Sequence, residues 1–277
     1  MSEHALVNPA ATPITAPAAT VAAERHAETN YGGDGHGAHN DGHDSVLHHH
    51  FDDMKQQREA TSLGMWAFLS TEVMMFGGLF FVYSLYRWKF ENAAGMAGQL
   101  NPYFIGSRML NEPVGFVNTL VLLASSLTMA LAVHAAQLKN KKLLITFLSL
   151  TWVLGLTFLV VKGFEWTADY HEGLIPTINW NPAQTIHHKG FEPNLVNLTH
   201  MQMFFLIYFC MTGLHAIHMV IGLGIVGYFI WMARRNHFTR GDDQPVELVG
   251  LYWHFVDIVW VFLFPLLYLI AGKHPTH

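Results

Sequence analysis

Five stretches of this chain are long and apolar enough to cross a membrane: Leu63 to Tyr86, Val114 to Gln137, Leu143 to Val161, Met203 to Met232 and Val249 to Ile270. A helix of about 20 residues crosses the ~30 Å hydrocarbon slab, and every run is of that order. Spanning strands would alternate in polarity, whereas runs such as LITFLSLTWVLGLTFLVV are apolar on every face. Composition agrees, because a chain of 277 residues that is 51% hydrophobic and only 13% charged is too greasy for an ordinary soluble domain. The expected fold class is all-α: an integral membrane bundle of five transmembrane helices with a disordered polar N-terminal tail.

The tail occupies residues 1–60 and the bundle residues 61–277. The tail opens with Ala, Thr and Pro and continues through YGGDGHGAHNDGHDSVLHHH, a composition that cannot bury a core. It has no basic segment followed by an apolar one, so it is not a secretory signal, and Arg25 alone is too little for a mitochondrial transit peptide. A prokaryotic inner (plasma) membrane is the expected location. Placing the N-terminus in the cytoplasm gathers Lys55, Arg58, Lys139, Lys141, Lys142, Arg234, Arg235 and Arg240 on that side. Arg87, Lys89, Arg108, Lys189 and Lys273 fall on the other, which puts the C-terminus in the periplasm. The His-rich tail offers no paired spacing or scaffold that would fix a metal geometry. Cys210, the single cysteine, excludes an intrachain disulfide. Thr167 to Thr199, polar and holding Pro176, Pro182 and Pro193, is expected to form an ordered external loop.

The informative residues are the few ionisable ones within the spans, since a charged group at depth costs roughly 2.5 to 3.5 kcal/mol on insertion scales. Glu72 lies about nine residues into the first span, roughly 14 Å from the inner edge, and Asp257 reaches a similar depth in the fifth. His218 stands somewhat higher, at about 21 Å. Three helices thus offer polar groups within a few residues' rise of one another. His215, His218 and Gly222 share one helical stripe, and Trp253, Asp257 and Trp260 share another, with His254 within reach of Asp257. Both stripes are expected to face protein. Interhelical hydrogen-bond glue explains such groups at about 0.6 to 2 kcal/mol each, and proton handling is the sharper alternative. The two are compatible.

Other positions carry less. Glu165 follows Lys162 by three residues at the end of the third span, where a surface ion pair is expected. Arg234 and Arg235 can hold anionic lipid headgroups or simply set topology. Gly77 and Gly78 are expected to mark a close helix contact. The chain has no phosphate loop, nucleophile triad or thiolate zinc pattern, and nothing argues for nucleic acid. Heme is the rival chemistry, because His134, His215, His218 and His254 lie in or near spans. Yet His215 and His218 share one helix, and His134 sits at a different depth.

The segments LSTEVMMFGGLF, LNEPVGFVNTLVLLASS, TGLHAIHMVIG and LYWHFVDIVWVFLF resemble, in order and spacing, subunit III of the heme-copper terminal oxidases, cytochrome c oxidase in particular. GFEW around Glu165 is similar to a looser signature of that family. The resemblance implies a chain without heme or copper of its own that is not itself catalytic and packs on the catalytic subunit I, which holds both, within a proton-translocating respiratory complex. It implies bound phospholipid, with Arg234, Arg235 and Trp253 as lipid contacts, and support for proton uptake. Residue by residue it maps Glu72 to the family's buried carboxylate, His215 and His218 to its paired histidines, Trp253, His254 and Asp257 to its last-helix motif, and Glu165 to its acidic position. The sequence departs from the mitochondrial pattern in lacking two N-terminal helices and in the long Thr167 to Thr199 insertion. That insertion is expected to meet a cytochrome c donor, a neighbouring subunit or a supercomplex partner on the outer face. An accessory subunit of a quinol oxidase or nitric oxide reductase, a small transporter and a diheme membrane cytochrome remain as alternatives.

Overall fold

The computed structural model describes residues 54–235 and 244–269, so the His-rich stretch before Met54 and the flanking Arg240 and Lys273 lie outside the described residues. Helix α1 runs Met54–Met96, α2 Pro102–Met109, α3 Glu112–Gln137 and α4 Lys141–His171. A two-residue hairpin (β1 Leu174–Ile175, β2 Asn179–Trp180), the short α5 (Ala183–His188) and a 3₁₀ turn (Pro193–Leu195) then lead into α6, Leu198–Arg234. Helix α7 (Gln244–Phe264) ends in a π turn at Pro265–Leu269. Five of these helices have the length and apolarity of membrane spans: α1, α3, α4, α6, and α7 with its final turn.

Helix ends follow local chemistry. Asn101 caps α2 by accepting from the Tyr103 and Phe104 amides, with Pro102 set in the first turn where its missing N–H costs nothing. Asn197 caps α6 in the same way through Thr199 and His200. Gly173 ends α4 at a φ of +70°, a conformation glycine adopts without a Cβ clash. At the far end of α7, Pro265 supplies no amide donor, and the wider π turn leaves the Leu266 carbonyl to accept from the Tyr83 hydroxyl of α1 at 2.8 Å.

The helices outrun the apolar windows. Helix α4 continues ten residues past Val161 to His171, and α6 starts at Leu198, so both ends of the expected loop are helical. What remains between them is ordered: Leu174 and Ile186 are buried and Trp180 meets Phe205. This cap and α2 lie at one end of the bundle, called here the loop side.

Helix α7 sits at the centre, against α3 on one side and α6 on the other, and α4 closes on α3 and α6. Small residues allow the close approaches. A Cβ on Gly155 would lie 2.7 Å from the Trp253 ring and one on Gly222 would lie 3.1 Å from it, so Trp253 is inserted between α4 and α6. Gly77 and Gly78 do the opposite of what their pairing suggests: nothing lies within 4 Å of a Cβ built at either. They face outward from α1, and only 6% of that helix's span window is buried.

Candidate functional site

The polar groups of the spans fall into three seams. The first joins α1 to α6. Glu72 Oε2 lies 3.1 Å from His218 Nε2, while His218 Nδ1 faces the Leu214 carbonyl at 2.8 Å. A carbonyl only accepts, so Nδ1 carries a proton, and Nε2 then either accepts from a neutral Glu72 or donates to its carboxylate. In both cases one proton is shared and the pair is neutral. The Phe76 ring edges the imidazole at 5.4 Å, and the Tyr252 hydroxyl donates to the His218 carbonyl. The pair is half-buried in the wall of a largely apolar 420 Å³ groove that Met65, Phe68, Ile221, Ile225, Leu248 and Tyr252 also line.

The second seam runs between the antiparallel α3 and α7. Trp253 Nε1 donates to Ser125 Oγ at 3.1 Å, His254 Nδ1 pairs with Ser126 Oγ at 2.7 Å, and Trp260 Nε1 donates to Thr119 Oγ1 at 3.1 Å. Small hydroxyl residues on α3 thus match the indole spacing of α7. The expected contact between His254 and Asp257 is not made, because Ser126 takes the imidazole across the helix interface instead. Ser126 also stands beside Asp257, but neither Asp257 oxygen meets hydrogen-bond geometry with any described residue. His215 is similarly enclosed: it is 1% exposed, packs on Phe158 and Trp260, and has no hydrogen-bond partner at either ring nitrogen among the described residues. The stripe of His215, His218 and Gly222 therefore divides, each residue serving a different neighbouring helix. Trp253, expected to touch lipid, is 1% exposed and wedged between helices, so lipid does not reach it.

The third seam corrects the expectation for Glu165. Lys162 and Glu165 form no surface pair, since they are 2% and 6% exposed and stand inside the bundle. Lys162 Nζ donates to Glu165 Oε2 at 3.1 Å, to the Tyr208 hydroxyl at 3.0 Å and to the Tyr268 hydroxyl at 2.6 Å. The two phenols in turn donate to Glu165 Oε1, Tyr208 at 3.3 Å and Tyr268 in a short bond. Three rings, those of Tyr208, Trp260 and Tyr268, surround the ammonium with centroids 5.1 to 5.3 Å away. Asp169, Tyr208 and Tyr268 are not among the residues that sequence reasoning singles out. A signal for Asp169 exists, because Lys162, Glu165 and Asp169 at i, i+3 and i+7 put three ionisable groups on one helix face.

At the opposite end, the Arg235 guanidinium stacks on Trp231 at 4.2 Å, and Lys141 Nζ donates to the Arg234 carbonyl at 3.3 Å. Among the described residues no three His, Cys, Asp or Glu side chains gather as a metal centre would require.

Fold and seams together define a polytopic membrane protein whose ionisable groups are turned into its own helix bundle. A family model described as cytochrome c oxidase subunit III matches residues 44–172 and 184–272. The chain belongs to that family, the third subunit of the heme-copper oxidases. Among curated relatives, a cytochrome c oxidase subunit 3 of Alkalihalophilus pseudofirmus is 28% identical over 76% of this chain and 86% of its own length. A probable quinol oxidase subunit 3 of Staphylococcus saprophyticus is 26% identical over 79% of this chain and 94% of its own. A probable cytochrome c oxidase subunit 3 of Rickettsia bellii is 27% identical over 78% and 70%. The chain is accordingly a multi-pass membrane subunit of an oxidoreductase complex and assembles with other oxidase subunits.

Proposed function

We propose that this chain is the metal-free, non-catalytic subunit III of a proton-pumping cytochrome c oxidase in a prokaryotic inner membrane. It braces catalytic subunit I, which carries the heme and copper, holds phospholipid, and supports proton uptake. The N-terminus lies in the cytoplasm and the C-terminus in the periplasm, a reading that the positive flanks support. The observation that carries the reading is the Glu72–His218 pair: one shared proton, half-buried, on a groove wall beside the least buried of the five spans. Sharing that proton lets the two groups stand in the span without a bare charge in hydrocarbon. His215, His254 and Asp257 are proposed as buried polar support behind it, and Arg234 and Arg235 as contacts for anionic headgroups at the cytoplasmic end.

The test uses the purified oxidase complex. Glu72→Gln keeps the side-chain shape but removes the exchangeable carboxyl proton. Heme spectra stay intact, while turnover under sustained load declines earlier than in the unaltered complex. Loss of heme, or turnover of unaltered rate and duration, overturns the reading. A quinol oxidase is the second reading, supported by the Staphylococcus relative at comparable identity. Identification of the copper centres that copurify with the chain separates the two. Deleting residues 174–195 tests the proposed contact of the loop with a cytochrome c donor, since electron input at unchanged rate would remove it.

A further inference from the structure

The loop-side seam has more carboxylates than cations to balance them. Lys162, Glu165 and Asp169 share one face of α4, and each is at most 6% exposed. Glu165 and the Lys162 ammonium neutralise each other. Asp169 adds a second carboxyl, with Oδ2 lacking any hydrogen-bond partner among the described residues. The Tyr208 hydroxyl, bonded to Glu165 Oε1 at 3.3 Å, also stands beside Asp169. The other titratable groups facing the cluster add no cation at its centre. Helix α6 contributes Tyr208 and, two turns on, His215; the turn after α7 contributes Tyr268; Glu172, just past α4, adds only a further negative charge. Helix α7 presents Trp260, and α3 presents the neutral Asn118 and Thr119.

With every group ionised, one ammonium and two carboxylates leave a net charge of minus one in an enclosed, aromatic-walled site. A buried, uncompensated charge is the costly outcome that proteins avoid by binding a proton. A metal ion would not fit here, because the Glu165 oxygens are already taken by Lys162, Tyr208 and Tyr268. We propose that Lys162, Glu165, Asp169 and Tyr208 form a proton-holding site on the loop side of the bundle, in which the two carboxyls share one exchangeable proton across the Tyr208 hydroxyl. The exchange balances simply: a hydronium from the loop-side water gives its proton to the Asp169 carboxylate and leaves as water. Passing the proton on, Asp169 donates to the Tyr208 oxygen while the Tyr208 hydroxyl proton moves to Glu165 Oε1. Asp169, two residues before the end of α4 and one turn from the exposed Glu172, is the member of the cluster closest to the loop-side end of the helix. The site does not depend on the Glu72–His218 reading, since Tyr208 and His218 are about 15 Å apart along α6.

Infrared difference spectroscopy of the intact oxidase complex, stepped in pH, reads the proton directly. The unaltered complex gains a carboxylic-acid carbonyl band as pH falls, and the band moves to lower frequency in deuterated buffer. Asp169→Asn and Glu165→Gln, tested separately, each leave one ammonium facing one carboxylate, so the band is lost in both. Other acids contribute equally to every spectrum and cancel in the variant-minus-unaltered difference. Loss in Asp169→Asn with retention in Glu165→Gln would show an isolated acid and overturn the shared site. Absence of the band from the unaltered complex would overturn it as well, a result that requires no variant to assemble.

Discussion

Helices α1 and α7 have the same mean hydropathy across their span windows, yet 56% of the α7 window is buried inside this chain and 6% of the α1 window. Lipid tails are as apolar as leucine, so hydropathy places a segment in the membrane without saying whether it faces lipid or protein. The distinction lies in the residues that need a partner. Helix α7 carries the buried indoles of Trp253 and Trp260, the His254 imidazole and the buried Asp257 carboxyl, and the first three find hydroxyls on α3. Helix α1 turns Leu63, Trp66, Met74, Phe81 and Trp88 outward, and among its described residues the deep polar contacts are Glu72 to His218 and Tyr83 to the Leu266 carbonyl.

That contrast is broken most sharply through the polar seam that α7 helps to close. Lys162→Met leaves Glu165 buried beside two phenols with no ammonium, and removing one partner of a buried pair costs about 3 to 5 kcal/mol. The expected result is a large fall in the thermal stability of the complex, or loss of this chain from it, measured by calorimetry and by subunit stoichiometry after purification. A shift within error would mean that water already screens the site.

The next effect in size comes from the close approach itself. Gly155→Val forces a Cβ against the Trp253 ring, 2.7 Å away, and overpacking of this kind costs about 1 to 3 kcal/mol. Trp253 fluorescence, isolated in a background with the other indoles replaced, reports the displaced ring. Trp260→Phe is milder. It removes the donor to Thr119 and part of the edge contact with Phe158, about 1 kcal/mol at the strength of membrane hydrogen bonds. Thr119 keeps its bond to the Gly115 carbonyl, so no buried hydroxyl is stranded. A fall well beyond Gly155→Val would show that the indole's own contacts, to Thr119 and to the Lys162 ammonium, outweigh the fit around Trp253.

The spans and the comparable depth of Glu72 and His218 were legible because both rest on periodicity and rise, which a sequence states directly. Three polar groups at comparable depth on three helices narrow the choice of partner to very few. The Lys162 cluster was not legible for a physical reason: the apolar window closes at Val161, and a charge just beyond it reads as exposed. Helix α4 instead continues ten residues further, and the one face of that extension that carries Lys162, Glu165 and Asp169 turns into the bundle and is buried. Tyr208 and Tyr268 look like ordinary span residues until the ammonium between them is known. His254 was assigned to Asp257 on spacing within one helix, and Ser126 on the facing helix wins because its hydroxyl meets the ring across the interface at 2.7 Å.

The smallest effect on the chain alone is the one that sharpens the comparison most. Gly77 lies on the open face of α1 with nothing within 4 Å of a built Cβ, so Gly77→Leu stays within about 0.5 kcal/mol for the separated chain, as surface substitutions do. In the assembled oxidase the same substitution asks whether that face is lipid or protein. Acyl chains move aside for a leucine, and a face against lipid leaves assembly unchanged. A neighbouring subunit packed on the Gly77 and Gly78 surface cannot move aside so cheaply, because small residues are where helices come closest. Normal stability of the separated chain combined with reduced recovery of the complex would place the partner on α1, and the low burial of that helix would then measure the size of a missing neighbour. Unaltered recovery would assign the face to lipid and leave α3, α4 and α6 to supply the contact.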